Sequence, residues 1–155
     1  MSTALETALT ELETRLATIS VVNGFNTELG ASVFPAGTYL TEDDAPCLAL
    51  YEARPDNDGV MQVAAGMQTA CGQEFVARYM VQAFIKRDEA QTPLAVAQAA
   101  ARDILRALMG ANHGALAGAK LHRIEGQGRG LTPKGGNVIP VLVYGTFTVS
   151  EGIYQ

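Results

Sequence analysis

The sequence predicts an α+β domain, with a mixed, mostly antiparallel sheet and two main helices packed on one face. Three observations predict it. Apolar residues recur at helical spacing near the N-terminus and again around position 100, while β-branched and aromatic residues fill 74–87 and 138–150. These signals run in the order helix, strands, helix, strands, without the strand–helix alternation of an α/β fold.

Leu5, Leu9, Leu12, Leu16 and Ile19 form the stripe of an amphipathic first helix, and Thr3 and Glu6 have the spacing of a capping box. This helix should stop near Ser20, where β-branched Val21 and Val22 precede the turn pair Asn23-Gly24. Residues 31–40, broken by Pro35 and Gly37, read as a short strand with a turn or an edge position. Cys47 to Glu52 reads as a strand, and Arg54-Pro55-Asp56-Asn57-Asp58-Gly59 as a turn that returns it as a hairpin into 60–69. The apolar run 74–87, with Phe75, Val76, Tyr79, Val81, Phe84 and Ile85, predicts a strand buried over much of its length.

Thr92-Pro93 is a helix start, since Thr92 can cap and Pro93 lacks only an N–H that would be unpaired there anyway. Leu94, Ala97, Ala101, Ile104, Leu105 and Leu108 share one face, Arg102 and Arg106 lie off it, and Gly110 supplies the terminator. The alanine-rich face suits close packing on a sheet. Residues 121–125 predict a short strand, and 138–150 a long one with Ile139, Val141, Val143, Gly145, Phe147 and Val149 on one side. Between them, 126–137 carry five glycines and almost no core-forming side chain, which predicts a mobile hairpin tip. No repeat or linker divides the chain, so 1–155 reads as one domain. Strands this apolar leave a sheet face or edge suited to neighbouring subunits.

Composition narrows the function. Sixteen acidic residues against eleven basic give a net charge of −5, which opposes general binding to a phosphate backbone. With no Trp and only five Phe and five Tyr, no stacking platform for single strands is evident. No apolar run approaches the roughly 20 residues of a membrane span, and the N-terminus lacks the pattern of a signal peptide. Cys47 and Cys71 lack a Cys-x-x-Cys spacing and fit a reducing compartment as small buried thiols.

The search for chemistry yields little. His113 and His122 lack the spacing of a helical zinc motif, so a structural or solvated role is expected. Aligning Gly59 with the glycine of a calcium loop puts Arg54 and Ala65 at ligand positions, which fails. Glu42-Asp43-Asp44 reads as a solvated acidic loop rather than a catalytic pair. The glycine loop matches neither nucleotide-binding pattern, although Arg129 and Lys134, with Arg123 nearby, make it locally basic. No metal, cofactor or enzymatic activity is expected.

The run Ile19 to Gly30, Ile-Ser-Val-Val-Asn-Gly-Phe-Asn-Thr-Glu-Leu-Gly, follows directly on the first helix. With the strand beginning at Pro46-Cys47-Leu48, it resembles the opening of tail terminator or tail completion proteins of long-tailed phages. That resemblance implies a protomer with a mixed sheet and helices against it. It also implies a hexameric ring that caps the tail tube, stops polymerisation of the tube protein and presents a surface to the head connector or stopper protein. The location implied is the virion, at the head–tail junction, after synthesis in the host cytoplasm. No membrane and no specific nucleic acid would be bound, although DNA would pass through the lumen.

On this reading Arg123, Arg129 and Lys134 are candidates for the lumen or tube contact. Glu151 and Tyr154, in a tail beyond the last strand, are candidates to cover a neighbouring subunit. Asn23 and Asn26 either shape a turn or touch a partner. Two alternatives stay open at this point. One is another neck or minor tail component; the other is a small homo-oligomeric enzyme or ligand-binding domain, marked by a concave intersubunit pocket holding His113, His122 or carboxylates with shifted pKa values.

Overall fold

The computed structural model describes residues 3–35, 38, 40–52, 62–69, 72–88, 90–110, 115–129 and 136–152, of which 52, 62–69, 72, 73, 75, 129, 151 and 152 are described by their backbone alone. Helix α1 (Ala4–Leu16) starts on the reciprocal capping box of Thr3 and Glu6. It ends short of Ser20, because Ser20 serves the next turn: its side chain accepts from the N–H of Asn23 at the 3₁₀ turn Val21–Asn23, which Gly24 closes at φ 84°. Ile19 therefore reaches the core from outside the helix. Helix α2 (Pro93–Met109) begins on Thr92 and stops at Gly110, whose φ is 62°.

Six strands form one sheet in the order β1-β2-β4-β6-β5, with β3 also on β4. They are β1 (Val33–Phe34), β2 (Cys47–Glu52), β3 (Gln62–Thr69), β4 (Gly72–Lys86), β5 (Lys120–Arg129) and β6 (Val138–Gly152). The β1–β2 pair is parallel and the other pairs are antiparallel, as the α+β reading requires. The strand foreseen in 31–40 shrinks to two residues, since Leu29–Ser32 forms a 3₁₀ turn instead.

The expected hairpin between β2 and 60–69 does not form. β6 pairs with β4 along its whole length, Gly72↔Gly152 to Lys86↔Val138, so every other partner of β4 must use the opposite edge. There β2 takes Tyr79 to Phe84, and β3 continues in the same direction over Gly72 to Val76. A six-residue strand cannot cover a fifteen-residue neighbour, and a second segment completes the edge instead of folding back. The turn 54–59 assigned to that hairpin lies outside the described residues.

One face of the sheet receives both helices. Leu48 and Leu50 of β2, Ala77, Tyr79, Val81, Ala83 and Ile85 of β4, and Ile139, Val141, Val143, Phe147 and Val149 of β6 join Ala8, Leu12 and Leu16 of α1 and the stripe of α2 in one core. Ala97, Ala100, Ala101 and Ala107 let α2 lie close to the sheet, whereas Leu94, expected on that face, is 56% exposed at the first turn. On the opposite face Leu40, Cys47 and Ala49 pack with Phe34, Tyr51 and Phe84 near β2.

Candidate assembly surface

Among the described residues β5 pairs with β6 alone, which makes it an edge strand of the sheet. It runs four residues past the predicted stop. Gly126 and Gly128 sit inside it, opposite Tyr144 and Leu142, rather than in a hairpin tip. The reason is cross-strand cover: a Cβ on Gly126 would lie 2.8 Å from Cε2 of Tyr144, whose ring occupies that space. Two register shifts bend the strand, and Leu121 projects from the first at φ 56° with 76% of its surface exposed.

Two basic residues of this edge, Lys120 and Arg123, have acidic partners. Lys120 pairs with the buried carboxylate of Glu74, which also accepts from Ser150. Arg123 meets Glu125 at 3.2 Å on a side chain that is 75% exposed, and Glu125 accepts from Thr146 at 3.2 Å. Exposed pairs of this kind contribute little and exchange partners readily. Arg129 is the last residue of β5; its side chain, and the whole of Lys134, lie outside the described residues.

The opposite sheet edge has the opposite sign. Between Arg15 and Arg54 the chain has no Lys, Arg or His, yet it carries Glu28, Glu42, Asp43, Asp44 and Glu52. In the turn Glu42–Asp44, the carboxylate of Asp44 accepts from the N–H and hydroxyl of Thr41 at 3.0 Å, and Glu42 and Asp43 are exposed. This turn leads directly into β2 beside the edge strand β1.

Asn23 and Asn26 belong to a turn fixed to α2. The Asn23 amide donates to the carbonyl of Thr18 at 2.8 Å. Asn26 donates through both its backbone N–H and its side-chain amide to Asp103, and Thr27 does so through its N–H and hydroxyl, at 2.7 to 3.0 Å. Arg106 lies 4.6 Å over the Phe25 ring and donates to the carbonyl of Gly24. Sequence reading missed Asp103, which is 1% exposed. The signal was there: it is the one acid among the alanines and leucines of the buried stripe, and a buried carboxylate needs donors.

Glu151 lies within the last strand, opposite Gln73, because β6 continues through Gly152 rather than ending at 150; Tyr154 is outside the described residues. His122 accepts or donates at Nε2 to the Tyr79 hydroxyl, 2.7 Å away. Burial pushes the Tyr79 phenol above its ordinary range, against the pull of Arg15. Cys47 is a buried free thiol raised chiefly by desolvation. His113, Cys71 and the Asp56-Asn57-Asp58-Gly59 turn lie outside the described residues. No group of three His, Cys, Asp or Glu that would hold a metal occurs among the described residues.

Fold and surface together define an α+β domain with two sheet edges of unlike charge. No protein-family model matches the chain, and no curated protein matches it. Among solved structures, it is similar in fold to a chain from the virion of a native gene transfer agent particle, with a TM-score of 0.59 at 16% identity over 96% of this chain and 98% of that one.

Proposed function

We propose that this chain is a structural protein of a virion and, within it, the tail terminator: a ring that caps the tail tube, ends its polymerisation and receives the head connector. The observation that carries the reading is the fold correspondence with a virion chain along nearly the full length of both. The tail-terminator resemblance of residues 19–30 supports the finer assignment. A ring needs two different, complementary patches on each protomer, and the unlike edges of this sheet are suited to that requirement. The role calls for surfaces rather than a reacting group. On this reading Arg129 and Lys134 are available to the tube or lumen, Arg123 lies beside them on the β5 edge, and Glu151 and Tyr154 are available to a neighbouring subunit.

The test is negative-stain imaging of the purified protein mixed with cognate tail tubes and free tube protein. The expected outcome is a cap at one end and arrested growth. Tubes that stay uncapped and continue to lengthen overturn the terminator assignment. Binding to the head connector without tube binding moves the protein to another level of the neck.

A further inference from the structure

The two unlike edges also specify how copies meet. We infer that the outer edge of β5 in one copy docks against the Glu42–Asp44 side of the β1–β2 edge in the next, joining the chains head to tail. This inference rests on the ring reading above and names its interface.

Three observations carry it. β5 holds Lys120, Arg123 and Arg129; Glu74 matches Lys120 and Glu125 matches Arg123, which leaves the strand net positive by Arg129 in a chain of net charge −5. The opposite side of the sheet is built from a stretch with acids and no bases, and Glu42 and Asp43 face solvent there. Finally, these patches sit at opposite ends of the strand order, so neither can satisfy the other within one chain. A two-fold dimer through either edge would bring like charges together. A repeated rotation brings Arg123 of each copy to Glu42 and Asp43 of the next, with complementary potential at every junction. The edge strand β5 is then covered by the next copy, which removes an edge-strand liability.

The test uses full-length chains on cognate tail tubes. Arg123→Glu sets an acid against Glu42 and Asp43 at every junction, and the double change Glu42→Lys with Asp43→Lys sets two lysines against Arg123. All three positions are exposed, so each variant should keep the parent circular dichroism and melting profile. Each alone should cap tubes at least roughly tenfold less well, because every junction then repels. A one-to-one mixture should restore capping, since alternating copies again present unlike edges. A changed tube contact would not be rescued by mixing. Variants that cap alone like the parent, or a mixture that stays as poor as its components, overturn the inference while leaving the terminator reading intact. A parent chain that neither caps tubes nor associates with itself removes both.

Discussion

The phenol of Tyr79 lies over Gly145, its cross-strand partner, and carries its hydroxyl across β6 to His122 on β5. A Cβ at position 145 would sit 2.6 Å from that hydroxyl and 2.6 Å from the backbone oxygen of Arg123. Gly145 is thus required by a side chain that links three strands. Tyr144 covers Gly126 in the same manner on the opposite face, but as a ring with 41% exposure.

The two glycines should therefore respond differently to alanine. At Gly145 the obstructing atoms are a buried phenol and a backbone carbonyl, neither free to move, and Gly145→Ala should cost about 2 to 3 kcal/mol. At Gly126 the half-exposed ring can swing away, and alanine recovers some strand propensity, so Gly126→Ala should stay within about 1 kcal/mol of the parent. Urea denaturation of both variants with unchanged m-values checks this. Equal losses would remove the proposed distinction.

Tyr79 also sets an alkaline limit. Burial raises its folded pKa above the unfolded value of about 10, so the unfolded chain releases this proton first. The stabilisation is complete below about pH 10 and declines as pH rises past it. Tyr79→Phe should flatten that alkaline decline and cost about 1 kcal/mol at neutral pH through the lost bond to His122. Phenolate absorbance during alkaline titration reports it: a late-ionising tyrosine of the parent should be missing from the variant. A late phase that survives in Tyr79→Phe would show that it does not come from Tyr79.

Cys47 should be chemically silent. Its side chain is fully buried and its thiol raised, so little thiolate is available. Peptide mapping after iodoacetamide treatment at mildly alkaline pH should find Cys47 labelled slower than a free thiol by on the order of a hundredfold, as an opening equilibrium of about 3 kcal/mol imposes. Labelling should reach the free rate in denaturant. Rapid labelling of the native chain would place Cys47 on a readily opened surface.

Local rules made much of this fold readable. The Thr3–Glu6 box, the Thr92-Pro93 start and the alternation of Ile139 through Val149 depend on near neighbours and were borne out residue by residue. What sequence could not supply was the set of distant partners. β3 lies along β4 in line with β2 because β4 is long, and 126–129 is strand because Tyr144 and Leu142 lie opposite. The same limit hid Asp103, whose partners are 76 and 77 positions away. The unlike charge of the two edges became visible only when the strand order set the acidic turn 42–44, beside β1 and β2, and residues 120–129 on opposite sides.

Asp103 offers a way to separate scaffold from contact in the Asn23–Thr27 turn. Its two oxygens accept from the backbone and side chain of both Asn26 and Thr27, a concentration of charge-assisted bonds at a site 1% exposed. Asp103→Asn keeps the shape but sets an amide N–H₂ against these donors, and should cost about 3 kcal/mol. Asn26→Ala keeps the backbone donors and should cost about 1 kcal/mol. Hydrogen exchange should accelerate at the Asn26 and Thr27 amides in Asp103→Asn before it does so within α2. Parent-like stability and exchange in that variant would mean the carboxylate is not what holds the turn. Asn26→Ala then decides between the two roles considered for Asn26. If the folded variant still caps tubes as well as the parent, the residue acts through the turn; if capping falls while stability drops by only the expected amount, its side chain also meets a partner.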